Sequence, residues 1–205
     1  MSWLVAPLYD RIMRGTEAAC LAAWRAELLA DLEGDVLEIG AGTGANIAHY
    51  GPRVERVRYF EPDPHMARQL KTKLAADPKR GASDEVVEDL AAVADESHDA
   101  VVSTLVLCTV PDPTATLAHV RRVLAPHGRF VFLEHVAAHE HPERLAWQRR
   151  LEPLWKRVAG GCHLTRETAQ TIADAGFTLE QLQRESMRKA VPWVRPTVRG
   201  VAIVR

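Results

Sequence analysis

Val36-Leu37-Glu38-Ile39-Gly40-Ala41-Gly42-Thr43-Gly44-Ala45-Asn46 is the stretch on which the fold turns. A largely apolar run with β-branched residues leads into glycines at alternate positions, and a helix-permissive segment follows. That order spells a buried strand, a tight turn and a helix start, by which α/β proteins present backbone N–H groups to a ligand. Glycine lets the chain take positive φ, and the missing Cβ lets a ligand approach the backbone.

The flanking sequence repeats the strand–helix alternation. Upstream, Trp3, Leu4, Leu8, Ile12 and Met13 share one helical face broken by Pro7, and Ala18 to Leu32 is rich in helix formers. Residues 1–33 are read as N-terminal helices forming a lid over the ligand crevice, with plain core packing as the alternative. Downstream, a short helix is expected over Ala45 to Tyr50, a strand over Val54 to Phe60, and a helix from Pro64 to Leu74 behind the cap Asp63. A short strand spans Asp84 to Glu88. The continuous apolar run Asp99 to Leu107 marks a central parallel strand buried on both faces. Asp112-Pro113 opens another helix to Leu124, and Arg129 to His135 is the fifth strand. Five β-α units with short connections specify a doubly wound parallel sheet. The tail departs from this rhythm. His139 to Val158 reads as helical, within an insertion over 137–165 that forms the acceptor side. Thr165 is expected to cap a helix to Ala175, and Phe177 to Gln183 and Val198 to Val204 supply two last strands.

Bulk properties narrow the class. The 205 residues fit one domain with a substantial core. With 26 basic and 27 acidic residues the net charge is −1, so no global field favours nucleic acid or an acidic membrane. Cys20, Cys108 and Cys162 are odd in number and widely spaced, which points to a reducing compartment rather than a disulfide framework. No signal peptide is visible, and Ala100 to Val110 is too short to span a bilayer. A soluble cytoplasmic protein, monomer or homodimer, is expected.

Two nucleotide cofactors compete for the glycine loop. Gly40, Gly42 and Ala45 satisfy the relaxed dinucleotide pattern GxGxxA, and Glu61 lies about 20 residues on, where a ribose-binding acid belongs. Against a dinucleotide, Glu38 would repel a pyrophosphate and instead suits a ligand bearing an ammonium group. The glycines also continue through Gly44, and the chain is short for an added substrate domain.

On these residues the chain resembles the class I S-adenosylmethionine-dependent methyltransferases of the type 11 family. The resemblance runs through Glu38-Ile-Gly-Ala-Gly-Thr-Gly44, the acid Glu61, the pair Glu88-Asp89 and the fourth strand. Val102 to Cys108, Val120 to Gly128, Leu133 to Val136, Leu151 to Trp155 and, most specifically, Gly161-Cys-His-Leu-Thr-Arg-Glu167 are similar to one branch. That branch includes bacterial methyltransferases and the membrane-anchored alkyl-thiol methyltransferases of animals, whose hydrophobic anchor has no counterpart in this sequence. The resemblance implies a Rossmann-like sheet of order 3-2-1-4-5-7-6 with strand seven antiparallel. It implies S-adenosylmethionine as cofactor and S-adenosylhomocysteine as product.

The implied cofactor residues are Glu38, Gly40, Ala41, Gly42, Thr43, Gly44, Asn46, Glu61, Pro62, Met66, Glu88, Asp89, Thr104 and Leu105. Glu38 balances the α-ammonium directly or through water, Glu61 takes the ribose hydroxyls, and Glu88 or Asp89 meets adenine. Methyl transfer from a sulfonium is an in-line displacement that needs alignment, exclusion of water and an unprotonated acceptor, and no metal is expected. The pocket candidates are Cys108, Trp147, Trp155, Cys162 and Arg166. His135 and His163 are candidates to assist deprotonation near neutral pH. The implied reaction is S-methylation of a small thiol or hydrogen sulfide. N- or C-methylation of a lipid amine or quinone precursor, and a non-catalytic cofactor-binding role, remain open alternatives. His135, His139 and His141 could suggest a metal site, but their spacing is irregular and no carboxylate or cysteine is read as completing it.

Overall fold

The parallel strands pack where the apolar runs predict, and their alternation puts two apolar layers on opposite faces of one sheet. The computed structural model describes residues 6–81 and 83–204, with side chains placed from Tyr9 onward; Trp3, Leu4 and the side chain of Leu8 lie outside this range. The strands are β1 (Gly34–Ile39), β2 (Val54–Phe60), β3 (Glu85–Val87), β4 (His98–Thr104), β5 (Leu124–His135), β6 (Phe177–Ser186) and β7 (Pro196–Val204). Their order is β3-β2-β1-β4-β5-β7-β6, with β7 antiparallel to both β5 and β6. The helices are α1 (Ala6–Thr16), α2 (Ala22–Leu29), α3 (Pro64–Ala76), α4 (Pro113–Val123), α5 (Pro142–Val158) and α6 (Thr168–Asp174).

Because successive strand residues face opposite sides, Leu37, Ile39, Val101, Phe130 and Phe132 join Leu117, Val120, Ile172 and Phe177 on the α4–α6 side. Val36, Val57, Tyr59, Ala100, Val102 and Val131 join Leu29 and Leu70 on the α2–α3 side. Proline-preceding aspartates start two of the helices: Asp63 Oδ1 accepts from the N–H of His65 and Met66, and Asp112 Oδ1 from that of Ala115. These contacts hold the carboxyl ends of β1 and β4 side by side, the place where open α/β sheets bind ligands.

The structure corrects several local expectations. The β1–β2 and β3–β4 crossovers carry 3-10 turns, Ile47–His49 and Leu90–Ala92, rather than α-helices. Thr165 does not cap α6, which starts at Thr168 with Glu167 before it; the Thr165 hydroxyl donates to Glu152 Oε2 at 2.5 Å. Pro196 opens β7 instead of sitting in the preceding loop. Ile12 is 66% exposed, so only part of the expected apolar face of the first helix is packed, with Met13 against Cys20, Leu21 and Trp24. Between α1 and α2 the five residues Glu17–Leu21 form a π-helical turn.

The antiparallel end of the sheet has a specific steric requirement. A Cβ at Gly200 on β7 would collide with the backbone carbonyl of Gln181 on β6, next to the register shift at Leu179/Gln181. The clash is with backbone, and the next neighbour is the buried Phe132 ring, so no flexible side chain is there to yield. Gly200→Ala is therefore expected to lower unfolding free energy by about 1–3 kcal/mol. A urea melt followed by circular dichroism measures this, and an unchanged midpoint would show that the β6 bulge relaxes freely.

Candidate functional site

The site lies at the ends of β1, β2 and β4 and is closed on one side by the segment that follows β4. Gly40, Gly42 and Gly44 all have positive φ, at 60°, 59° and 81°, yet the absent Cβ serves a different purpose at each. At Gly40 it would strike Val106, and at Gly44 it would strike Ile47 and Leu70. At Gly42 it would meet nothing within 4 Å. Only Gly42 therefore turns bare backbone toward open space; its two neighbours let the loop seat on the protein. Ala41 is buried, and its N–H donates to Phe60 O at 3.1 Å, tying the loop to β2.

Glu38 is 1% exposed. Its Oε1 accepts from Asn46 Nδ2 at 2.9 Å and its Oε2 from the Tyr50 hydroxyl at 2.6 Å. Burial pushes its pKa up to about 7, against the lowering effects of Tyr50, Arg25 and Asn46. Asn46 continues the network: its Oδ1 accepts from Arg25 Nη1 at 2.8 Å, and Nη1 also donates to Thr104 Oγ1 at 2.7 Å. Arg25 is itself buried and pairs through Nη2 with Glu17 at 3.1 Å. The π-helical turn adds a residue to the helix repeat, which returns Arg25 to the face of Glu17. Neither Arg25 nor Glu17 was expected in the site, because a π turn leaves no mark in an apolar periodicity.

Glu61 Oε2 accepts from the Gly42 N–H at 2.7 Å and Oε1 from the Asp63 N–H at 2.8 Å. Each oxygen keeps a second lone pair for hydroxyl donors, and burial raises its pKa. Thr43 is buried and donates to Asp10 Oδ1 on α1 at 2.5 Å, while Asp10 Oδ2 accepts from Lys73 at 2.7 Å. The first helix is thus tied directly to the glycine loop. Met66 is buried at the start of α3 and Pro62 is exposed. Glu88 and Asp89 are both exposed; Glu88 lies 3.4 Å from Lys71 Nζ, and Asp89 caps the turn at Ala91.

After β4 the chain turns through Leu105, a non-glycine residue at φ 61°. Such a conformation persists only where its surroundings impose it. Here the buried Glu134 does so. Its Oε1 accepts from Ser103 Oγ at 2.8 Å and from the N–H groups of Val106 and Leu107 at 3.0 Å each. Its Oε2 accepts from the Cys108 N–H at 3.3 Å. Arg166 donates to the carbonyls of Leu107 and Val110, and the His163 N–H donates to Cys108 O at 2.8 Å.

This bracing joins residues remote in sequence. The His135 Nε2 and Cys162 Sγ atoms are 2.7 Å apart, and Cys108 Sγ lies with them, all three within 4.8 Å of one another and all buried. Cys108 sits against Cys162 and holds the Cys162 thiol well below the ordinary range; His135 adds to this. The Cys108 thiol is pushed up. Desolvation pushes the Tyr9 phenol up to about 12, in a setting that includes Arg25, Cys108 and Cys162. Tyr9 was another residue not anticipated. Trp155 and Trp193 meet edge to face at 6.0 Å. His163 Nδ1 lies 3.2 Å from Glu152 Oε1. Trp147, expected in the pocket, is instead 57% exposed beside Arg150. Of the three clustered histidines, only His135 enters the buried site; His139 pairs with Glu167, and His141 precedes α5.

The donor set suits a cationic nucleoside bearing an amino acid. Open space faces Gly42, Glu61 offers acceptors for vicinal hydroxyls, and the Glu38–Arg25 network offers one charge of each sign.

The comparisons with known proteins agree with this geometry. Residues 37–132 match the methyltransferase-domain family Methyltransf_11. The chain is 40% identical over 173 residues to thiol S-methyltransferase TMT1B of Homo sapiens, covering 82% of this chain and 70% of that protein. It is 39% identical over 171 residues to human thiol S-methyltransferase TMT1A, with the same coverage. Among solved structures, magnesium protoporphyrin IX methyltransferase of Synechocystis with bound S-adenosylhomocysteine superposes with a TM-score of 0.68 at 15% identity, covering 96% of this chain and 87% of that one. The [4+2]-cyclase SpnF also superposes with a TM-score of 0.68 at 15% identity, covering 89% and 78%.

Two expected outcomes follow from the loop and its acid. Gly42→Ala should weaken S-adenosylhomocysteine binding about tenfold or more, roughly 1.4 kcal/mol, with a stability cost near the ~1–2 kcal/mol of the left-handed backbone. Gly44→Ala should cost more stability, because its Cβ meets packed side chains; calorimetry and urea melts separate the two. For Glu38, a carboxyl whose folded pKa is raised binds its proton more tightly when folded. It therefore withdraws stability as pH climbs from about 4.5 to 7. Glu38→Gln should melt higher than wild type at pH 8 and lose that advantage near pH 5. Parallel Tm profiles across this range would show that Glu38 does not titrate there.

Proposed function

The chain belongs to the S-adenosylmethionine-dependent methyltransferases, in the branch that includes the animal thiol S-methyltransferases, and we propose that it methylates the sulfur of a small thiol or of hydrogen sulfide. The observation that carries this reading is the buried Cys108–His135–Cys162 cluster beside the end of β4. It gives the acceptor side a dry, sulfur- and imidazole-lined wall, with no carboxylate among its three members.

When bound, S-adenosylmethionine supplies an electrophilic methyl group on a sulfonium. The chain's own residues hold that cofactor and admit the acceptor. Glu61 would take the ribose hydroxyls, with the backbone at Gly42 beside them. Glu38, acting through Asn46, would compensate the ammonium, and Arg25 beside Thr104 would meet the carboxylate. The Asp89 N–H and the exposed Glu88 would be the candidate contacts for adenine. Tyr9 and the rest of α1, held to the loop by Asp10–Thr43, act as a lid that excludes water.

A thiol needs little activation: with a pKa near ~8.5 it is a few per cent thiolate at neutral pH and intrinsically nucleophilic. Alignment and desolvation then account for most of the acceleration, with His135 on the acceptor wall assisting loss of the thiol proton. His163, bound to Glu152, positions the segment that carries Cys162. Among the described residues no helix is long and apolar enough to cross a membrane.

Labelled-methyl transfer against a panel of an alkyl thiol, hydrogen sulfide, a primary amine and a phenol tests the reading. Transfer to the sulfur acceptors should exceed the others at least ~100-fold in kcat/KM, and His135→Gln should lower it ~10–100-fold. Preference for the amine or phenol would overturn the thiol assignment. Tight S-adenosylhomocysteine binding with no product from any acceptor would point to a non-catalytic binding protein.

A further inference from the structure

We propose that Cys108, His135 and Cys162 form a mononuclear site for a thiophilic divalent cation, zinc in the first instance, whose fourth coordination position receives the acceptor thiol. This deepens the thiol reading above and rests on it for the identity of the fourth ligand.

Three potential ligand atoms, two sulfurs and one imidazole nitrogen, lie within 4.8 Å of one another and are all buried. They arrive from three separate places: the segment after β4, the end of β5, and the connection between α5 and α6. Two cysteines and one histidine are a ligand set that binds zinc with one position left open. The site as it stands is closed by the 2.7 Å contact between His135 Nε2 and Cys162 Sγ. Admitting a cation requires these atoms to separate to about 3.6 Å, the spacing set by tetrahedral bonds of ~2.0 and ~2.3 Å. The 9% exposed Cys162 sits in a short connection after Gly160 and Gly161, both at positive φ, so the adjustment falls on a loop. The buried indole Nε1 of Trp155 is directed at the Cys162 sulfur and has no other hydrogen-bond partner among the described residues. It is a ready donor to a coordinated thiolate, the outer contact that orients a metal ligand.

A cation here has a chemical purpose. Both cysteines coordinate it as thiolates, and any thiol proton still held at the site passes to solvent. An incoming thiol that takes the open position likewise loses its proton, because coordination deprotonates a thiol outright. Its sulfur keeps a lone pair for alkylation, and the neutral thioether product is a weak ligand that leaves. The cluster thus supplies the unprotonated acceptor that a buried site would otherwise disfavour.

Cobalt(II) titration of the whole reduced protein tests this, read by the sulfur-to-cobalt charge-transfer absorption and by metal analysis after zinc competition. One ion per chain is expected, displaced by zinc. The absorption should be lost in Cys108→Ser and Cys162→Ser, lost or much weakened by His135→Gln, which removes a direct ligand, and unchanged in Cys20→Ser, whose sulfur lies elsewhere. Binding of S-adenosylhomocysteine by each variant verifies its fold. Ethanethiol should alter the absorption by adding a third sulfur. Folded protein that binds neither cobalt nor zinc, or binds them equally well without Cys162, overturns the proposal. A spectrum indifferent to ethanethiol, or metal-free protein that methylates ethanethiol as fast as metal-loaded protein, overturns coordination of the acceptor and leaves the thiol reading intact. Conversely, a cobalt spectrum that responds to ethanethiol without any methylation of it would sustain the site and defeat the thiol reading.

Discussion

One buried carboxylate holds the acceptor half of this molecule together. Glu134 accepts four hydrogen bonds, from Ser103 Oγ and from the N–H groups of Val106, Leu107 and Cys108. The segment after β4 could not otherwise bury three successive amides, since its strand partners end at Thr104 and an unpaired buried amide costs roughly 1–3 kcal/mol. The convergence of these amides forces Leu105 into a left-handed conformation. It also presses Val106 against Gly40, so the same carboxylate sets one wall of the glycine loop. Finally it fixes Cys108, whose carbonyl receives the His163 N–H, and so determines what Cys162 meets.

The cofactor half is organised by a second buried acid with the opposite character. Glu38 has few donors for its burial, Asn46 and Tyr50 among the described residues. Its proton is therefore held more firmly than in water, and its charge depends on what cation lies nearby. Arg25 is one such cation, but it is shared with Glu17, Asn46 and Thr104. The network is nearly charge-balanced without ligand, and it can accept a zwitterion without leaving an isolated buried charge.

The legibility of these features in the sequence follows their range. The strands and the doubly wound class were readable because apolar runs, aspartate–proline helix starts and glycine turns are local signals, whereas the order of the strands across the sheet came from the family resemblance. Glu38 and Glu61 were readable because each sits at a fixed offset from a strand end. The π-helical turn was not, since one added residue disturbs no pattern, and Arg25 went with it. Nor was the meeting of Cys108, His135 and Cys162, which depends on the long-range bracing by Glu134 and Arg166. The neighbouring histidines at 139 and 141 were too irregularly spaced to be read as partners of His135, and nothing local pointed elsewhere. Its true partners are 27 residues away on either side, at Cys108 and Cys162.

The depth of the acceptor wall has its own chemical logic. Methyl transfer from a sulfonium to a thiolate joins a cation and an anion and yields two neutral sulfides, so charge disappears along the reaction. Water stabilises the separated charges more than the charge-dispersed transition state, and a site that excludes water lowers that advantage of the ground state. Cys108, His135 and Cys162 are all at or below 9% exposure, so an acceptor seated against them as proposed would lie in such a medium. The same medium opposes formation of the thiolate, because burial penalises an unpaired charge. The two demands are reconciled only if the thiolate is generated beside a positive partner that enters the site with it or waits there. An imidazolium and a metal ion each meet that requirement. The placement of His135 against two sulfurs allows either: the imidazole serves in the metal-free protein, and a cation bound as proposed would take its place as the positive partner.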